Sequence, residues 1–194
     1  MDEREVRANQ AMDRYAAGEA SAFPVVYDAL APRLYRYLMK LTGGDRARAE
    51  DLVQQTFLQM HDARGRFVAG SAVAPWAYAI ARRLFLDTAR KGKRENLLGI
   101  AQDLAAGMVD GTPTPEADLE ARRMAAELNE ELARLPARQR EAFLLVREEG
   151  LSMAEAALVL GTTVAGVKLR ASRASKALRA VLGARGREPD EEQS

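Results

Sequence analysis

Apolar residues recur at helical spacing along most of this 194-residue chain, and the pattern predicts helices. The first clear helix spans Ala22 to Leu41, where Pro24 fits the first turn and Pro32 is expected to kink or split the segment. One face of this helix is predicted to be buried, and it carries Val26, Leu30, Leu34, Tyr37, Leu38 and Leu41.

Two more helices are predicted in the N-terminal half. Asp45 is a suitable N-cap for a helix that runs to about Asp62, and Pro75 suits the first position of another helix after a loop at 63–74. The first of the two buries Ala49, Leu52, Val53, Thr56, Phe57 and Met60 on one side. The second turns Trp76, Ile80, Ala81 and Leu84 inward.

The C-terminal part is predicted to contain four helices. Helical order resumes at about Leu119, stops before Pro136, and continues in a segment that ends at Gly150. Ser152 and Glu155 then form a capping box for a helix at 153–160.

Two turn signals follow this short helix. Gly161 suits the left-handed residue that ends it, and Thr163 suits the cap of a longer helix. The apolar stripe of that longer helix consists of Val167, Ala171, Ala174, Leu178 and Val181. A short capped helix, a glycine turn and a second helix together predict a helix-turn-helix.

Charge strengthens this interpretation. The net charge is only +1, but seven basic residues and no acidic one lie between Lys168 and Arg187. Another basic segment, 82–94, holds six basic residues against one acid, whereas 95–120 holds six acids and no base. A charge run is often only a solvated helix face. Combined with the helix-turn-helix pattern, however, the basic face favours a polyanion such as DNA.

Composition argues against an enzyme. The chain has no cysteine, so it has no disulfide, thiolate metal site or cysteine nucleophile. His61 is the only histidine and is interpreted as an ordinary, partly exposed side chain. Gly161 and Gly166 have phosphate-loop spacing, but the required Lys and Ser or Thr do not follow. We therefore predict no catalytic residue, no metal and no cofactor, and a cytoplasmic protein without membrane insertion.

Two separated blocks resemble the sigma-70 family of bacterial RNA polymerase sigma factors. RAEDLVQQTFLQM with WAYAIARRLFLDTARKGKR resembles region 2, and LARLPARQREAFLLVREEGLSMAEAALVLGTTVAGVKLRASRASKALR resembles region 4. Length and layout resemble the extracytoplasmic-function (ECF) group. The resemblance implies an all-α fold of two small helical domains joined by an acidic linker. The expected parts are a lead-in at 1–21, region 2 at 22–94, a linker at 95–118, region 4 at 119–183 and a tail at 184–194.

The resemblance implies binding to core RNA polymerase and to promoter DNA, without catalysis. The clamp helices of the largest subunit are expected to contact Asp51, Leu52, Gln54, Gln55 and Phe57, where Gln55 replaces an acid usual in the family. The flap of the second-largest subunit and an anti-sigma factor are further expected partners. An acidic linker inside the polymerase would also mimic the charge of nucleic acid, which is a hypothesis.

Two DNA contacts are implied. The minus-ten element is expected to contact Phe67, Trp76, Tyr78, Arg82, Arg83, Arg90 and Lys91, with a loop at 65–74 that captures a flipped base. Arg83 stands where the family commonly has asparagine. The minus-thirty-five element is expected to contact Thr163, Ala165, Lys168, Leu169, Arg170, Arg173 and Lys176.

An alternative is a stand-alone helix-turn-helix regulator. Such a protein would typically dimerise on a palindrome without polymerase. Its C-terminal module would look much the same, but the region 2 resemblance would remain unexplained.

Overall fold

The chain divides into two compact units, residues 1–109 and 110–194, each helical in its described part. The computed structural model describes the backbone of residues 3–97 and 117–185 and the side chains of residues 3–90 and 126–180. All regular structure in these ranges is helical, which confirms the predicted fold class. Most of the 95–118 linker and most of the 184–194 tail lie outside the described residues. The hypothesis that the linker mimics nucleic-acid charge therefore concerns residues that the structure does not describe.

The first unit has four α-helices and two single-turn 3₁₀ segments in its described part. The 3₁₀ segments are Ala20–Ala22 and Arg64–Arg66. The α-helices are α1 (Glu3–Ala16), α2 (Phe23–Leu41), α3 (Arg46–Ala63) and α4 (Val73–Leu97).

Helix α1 is part of the first unit's core, whereas the sequence predicted only a polar, weakly helical lead-in. Its buried side chains are Ala8, Ala11, Met12 and Tyr15. They fall on one face, which packs chiefly against α2. The rest of α1 is charged. The sequence alone therefore did not show that the apolar face of α1 is buried against α2.

Helix α2 runs through Pro32 without a break, so of the predicted kink or split at that residue the split is excluded. An interior proline costs about 3 kcal/mol because it removes a backbone hydrogen bond and crowds the preceding turn. The flanking Leu30 and Leu34 are fully buried, and each contributes about 1.5 to 3 kcal/mol. Packing on both sides of the proline therefore holds the helix together. Pro24 lies in the first turn as predicted.

Helix α3 matches its predicted pattern. Its cap is Asp45, whose carboxylate accepts a hydrogen bond from the backbone N–H of Arg48 at 3.0 Å. The buried residues are the six that the periodicity predicted: Ala49, Leu52, Val53, Thr56, Phe57 and Met60. The opposite face of α3 is therefore available at the surface.

The second unit contains the four predicted helices in its described part. They are α5 (Ala117–Arg134), α6 (Ala137–Phe143), α7 (Met153–Leu160) and α8 (Val164–Arg185), with a π-helical turn at Leu144–Glu148 after α6. None of the helices described in either unit is long and apolar enough to cross a membrane.

The helix-turn-helix is confirmed in its local detail. Ser152 Oγ accepts from the N–H of Glu155 at 3.2 Å, and Glu155 Oε2 accepts from the N–H of Ser152 at 2.8 Å. Gly161 is left-handed with φ of 59° and ends α7. Thr163 Oγ1 accepts from the N–H of Gly166 at 3.1 Å and caps α8. The stripe Val167, Ala171, Ala174 and Leu178 is buried, while the side chain of Val181 lies outside the described residues.

Candidate nucleic-acid interfaces

The first candidate interface is the outward face of α8 in the second unit. Six of the seven residues predicted there are exposed, and Arg170 is half-buried. The exposed ones are Thr163, Ala165, Lys168, Leu169, Arg173 and Lys176. Because Val167 and Ala171 point into the core, the helix holds itself to the unit on one side and presents cations on the other.

The start of α8 requires a small residue at Gly166. A Cβ added there would lie 2.9 Å from Thr162 Oγ1 and 3.2 Å from Thr163 Oγ1. The sequence alone indicates only that glycine weakens this turn by up to about 1 kcal/mol relative to alanine. The structure shows that the glycine leaves room for both hydroxyls, including the one that caps α8.

The second candidate interface consists of the loop at 64–72 and the outward side of α4. Phe67 and Trp76 are both half-buried, and their ring centroids are 5.2 Å apart. The pair thus offers aromatic edges and faces at the surface, and stacking on unpaired bases contributes about 1 to 3 kcal/mol per base. Helix α4 begins at Val73, two residues before the predicted Pro75.

Tyr78 does not belong to this surface. Its side chain is fully buried, and its ring packs edge-on against Tyr37 with centroids 5.2 Å apart. A base therefore cannot reach the Tyr78 ring, and the prediction that Tyr78 contacts DNA is wrong. Tyr78 stabilises the contact between α4 and α2 instead.

The basic residues of α4 differ in their surroundings. Arg82 is half-buried, whereas Arg83 and Arg90 are exposed. Arg83 Nη2 donates to Gln59 Oε1 on α3 at 2.7 Å, and Arg90 Nη2 donates to Asp87 Oδ1 at 2.7 Å. The Lys91 side chain lies outside the described residues.

A third surface is a groove of about 1110 Å³ between α2 and α3. Its floor is aromatic: the Tyr27 and Phe57 rings lie 4.6 Å apart, and Phe23 meets Phe57 edge-on at 6.0 Å. Tyr27 is 44% exposed and Leu58 58% exposed. Other lining residues include Tyr15, Tyr35, Arg46, Glu50, Gln54 and His61. An apolar floor with a polar rim suits the face of an amphipathic helix.

The residues predicted to bind polymerase lie in and beside this groove, with one exception. Gln54 and Phe57 line it, and Asp51 is exposed next to it. Gln55 Nε2 donates to Asp51 Oδ2 at 2.7 Å, so the amide that replaces the usual acid holds the remaining carboxylate. Leu52 is fully buried and supports the helix from inside, so it is removed from the candidate surface.

Sequence reasoning missed several groove residues. Leu58 stands four positions after Gln54 on the polar face of α3, and an apolar residue on that face was the available signal. His61 also lines the groove and forms a hydrogen bond through Nδ1 with the Tyr15 hydroxyl. At the rim, the Arg46 Nε donates a hydrogen bond to Glu50 Oε1 at 2.9 Å, and this contact raises the pKa of the Arg46 guanidinium.

Family comparisons match both units. Residues 26–95 match the Sigma-70 region 2 family, and residues 125–178 match the Sigma-70, region 4 family. The ECF RNA polymerase sigma factor SigF of Caulobacter vibrioides is 33% identical over 178 residues, which cover 92% of this chain and 95% of that protein. EcfG of Rhodopseudomonas palustris, another ECF sigma factor, is 35% identical over 160 residues, covering 82% of this chain and 84% of that one.

Two solved structures have a similar fold. The sigma factor RpoE, in complex with the anti-sigma factor NepR from Bartonella quintana, gives a TM-score of 0.70 at 27% identity, covering 83% of this chain and 96% of that chain. CnrH, in complex with the cytosolic domain of CnrY, gives a TM-score of 0.65 at 25% identity, covering 94% of this chain and 99% of that chain.

The two family matches, on two helical units in this order, define a sigma factor of the sigma-70 class, built from regions 2 and 4. The chain belongs to the ECF group of this family, which consists of non-enzymatic proteins that act in transcription initiation.

Proposed function

We propose that this sigma factor holds one promoter at two points and binds core RNA polymerase through its first unit. The main support for this proposal is that regions 2 and 4 occur in order on two compact units, each with an exposed polar surface of its own. In this proposal the region 2 domain is residues 22–94 together with α1, and the region 4 domain is residues 119–183. A stand-alone regulator has no use for a region 2 unit.

The α8 surface reads the minus-thirty-five element as duplex. The second helix of a helix-turn-helix enters the major groove and contacts base edges with its N-terminal residues. Its contact set is Thr163, Ala165, Lys168, Leu169, Arg170, Arg173 and Lys176. Leu169, 51% exposed among these polar neighbours, suits the methyl group of a thymine.

The loop and α4 hold the minus-ten element as an opened strand. Phe67 and Trp76 offer stacking surfaces, and the cationic contacts are Arg82, Arg83, Arg90 and Lys91. Arginine in place of asparagine at position 83 donates hydrogen bonds but accepts none, so the base preference there differs from that of the asparagine-bearing relatives. Gln59 holds the Arg83 guanidinium beside this surface.

The groove side of α3 binds the clamp helices of the largest polymerase subunit, and the second unit contacts the flap of the second-largest. Asp51, Gln54 and Gln55 form the polar part of the first contact, and Phe57 its apolar part. Because Gln55 removes one acidic charge at the rim, the association rate falls more than the affinity.

An anti-sigma factor is the second protein partner in this proposal. The RpoE structure contains the anti-sigma factor NepR, and the CnrH structure contains the cytosolic domain of CnrY. The exposed Tyr27 and Leu58 make the α2–α3 groove the candidate site. Products of neighbouring genes, purified with this chain, provide the test: wild type forms a complex and a Tyr27→Ala, Leu58→Ala variant does not. An equal yield from the variant removes the groove as the site.

Reconstitution with core polymerase tests the proposed contact between α3 and the clamp helices. The Asp51→Ala, Gln54→Ala variant is expected to lose co-purification with core polymerase while it keeps its helical content, because both side chains are exposed. Asp62→Ala with Gln10→Ala is the matched control, since both residues are exposed and lie outside the groove lining. Retained co-purification of the first variant would contradict the clamp assignment.

A further inference from the structure

Helix α1 forms hydrogen bonds to the chain before, within and after the loop at 64–72. Asn9 Oδ1 accepts from the N–H of Val73 at 2.9 Å, and Asp13 Oδ1 accepts from the N–H of Gly70 at 3.0 Å. The Tyr15 hydroxyl is hydrogen-bonded to His61 Nδ1 in the last turn of α3. One helix therefore braces the chain just before the loop, at Gly70 in the second half of the loop, and at the exit of the loop.

The positions of these side chains on α1 suit that role. Asn9 and Asp13 are four residues apart, so they project from the same face of the helix. Buried Ala8, Ala11 and Met12 fix α1 to the rest of the unit. The two acceptors therefore lie on a helix that is anchored in the core of the unit, chiefly against α2.

The two amides that α1 satisfies are ones that the loop itself leaves without a helical partner. Val73 is the first residue of α4, and the N–H groups of a first helical turn have no intrahelical acceptor. Gly70 has φ of +79°, a conformation that glycine adopts readily. Within the loop, Phe67 donates to the Arg64 carbonyl and Ser71 to the Val68 carbonyl, which closes only short turns.

Asp13 is an unexpected residue beside a DNA-binding loop. A carboxylate near DNA lowers the affinity of the protein for DNA by electrostatic repulsion. A favourable interaction of the Asp13 carboxylate is therefore expected to offset this repulsion. A hydrogen bond from a backbone N–H to an ionised carboxylate is stronger than one between neutral groups. The hydrogen bond to Gly70 supplies that favourable interaction.

We propose that α1 is a positioning element for promoter opening: Asn9 and Asp13 hold the loop in the shape that receives an unpaired minus-ten base beside Phe67 and Trp76. This inference rests on the proposed function of the loop. A loop already held in its bound shape loses less conformational freedom when the strand arrives. The helix therefore acts on DNA binding without touching DNA.

The test uses the full chain with core polymerase and a single-stranded oligonucleotide that carries the minus-ten element of a promoter found by library transcription. Asn9→Ala with Asp13→Ala is expected to weaken binding about fivefold to a hundredfold, the range for two lost hydrogen bonds. Alanine favours helix, so α1 should persist in this variant. Arg7→Ala with Gln10→Ala, both exposed on α1, is the matched control and should bind like wild type.

Two further readouts separate bracing from charge. In the free protein, amide hydrogen exchange at Gly70 and Val73 should accelerate in the double alanine variant and stay unchanged in the control. Asp13→Asn keeps an acceptor oxygen and removes the negative charge, so it should bind the oligonucleotide better than Asp13→Ala. Equal affinity of Asp13→Ala and Asp13→Asn would overturn the brace.

Phe67→Ala distinguishes the failure of this inference from the failure of the proposed function. If wild-type holoenzyme binds the strand and Phe67→Ala weakens it, while the Asn9→Ala, Asp13→Ala variant binds normally, the inference alone is wrong. If neither wild type nor Phe67→Ala binds the minus-ten strand above core polymerase alone, the proposed function of the loop fails, and the inference fails with it.

Discussion

The two units build their candidate DNA surfaces in different ways. In the second unit, the cap, the turn and the exposed face all come from one continuous segment, residues 152–173. In the first unit, the loop depends on hydrogen bonds from residues 57 and 64 positions away. One surface is local in sequence, and the other is assembled by tertiary contacts.

Their interiors differ in the same sense. The first unit packs rings against one another, as in the contacts of Phe57 with Tyr27 and Phe23. The second contains a single aromatic residue, Phe143, and the buried residues described in α7 and α8 are all aliphatic, with alanine at positions 156, 157, 171 and 174. Substitutions in the helix-turn-helix should therefore act directly on contacts, whereas in the first unit distant substitutions should also change the DNA surface.

The largest effect is expected from Arg173→Ala on the local surface. Loss of a base-edge contact costs about 1 to 3 kcal/mol of affinity for minus-thirty-five duplex. Selective loss at one base pair would indicate base readout, and uniform loss with a flatter salt dependence would indicate a phosphate contact. Arg179→Ala, also exposed on α8 but farther from its start, is the matched control and should lose less. Equal affinities of wild type and Arg173→Ala in a duplex-binding titration would place the contact elsewhere.

Gly161→Ala tests whether the local turn depends on backbone conformation alone. A residue with a Cβ costs about 1 to 2 kcal/mol in the left-handed region, and an added Cβ would meet nothing within 4 Å. The free energy of unfolding, measured by denaturant titration, should fall by that amount. Gly65→Ala, at an open position without positive φ, should change the free energy of unfolding by only a few tenths of the loss expected for Gly161→Ala. Similar losses for both glycines would contradict the conformational explanation.

Ser152→Ala removes the capping box, which is the next local signal. Loss of a serine N-cap costs about 1 kcal/mol of stability. Ser172→Ala, at an exposed position inside α8, provides the control and should be neutral or slightly stabilising. If both variants unfold at the same denaturant concentration, the capping box contributes nothing measurable.

Gln59→Leu should have the smallest effect and should appear only on the non-local surface. It removes the acceptor for the Arg83 guanidinium, an exposed hydrogen bond that contributes about 0.5 to 1.5 kcal/mol. Affinity for the minus-ten strand should fall by no more than that, with duplex binding by α8 unchanged. If Arg83→Ala weakens strand binding and Gln59→Leu leaves it equal to wild type, Gln59 does not position Arg83.

The same contrast explains what the sequence could predict. The capping box, Gly161, Thr163 and the buried stripe of α8 were all predictable because each signal acts within four residues. The six buried residues of α3 followed from periodicity alone. For the first unit, the family resemblance identified region 2 on the chain. Periodicity alone did not identify the candidate surface residues of that unit.

The errors occurred where a distant partner decides the outcome. Tyr78 looked available beside a basic helix, but Tyr37 on α2 covers its ring. Leu52 is a different case: the periodicity of α3 already predicted that it is buried, and the structure confirms this against the binding motif that it matched. The roles of Asn9 and Asp13 had no sequence signal, since neither residue reveals which amide lies opposite it. Such contacts become visible only when the helices are packed.

Transcription from a genomic DNA library by core RNA polymerase with this chain tests the account most directly. The account predicts that transcripts absent with core polymerase alone start downstream of a shared two-part element with constant spacing. Arg173→Ala should then relax the upstream part, and Asn9→Ala with Asp13→Ala should reduce opening at the downstream part. Transcript starts that share no upstream element, or no transcripts beyond those of core polymerase, would contradict the two-point promoter grip.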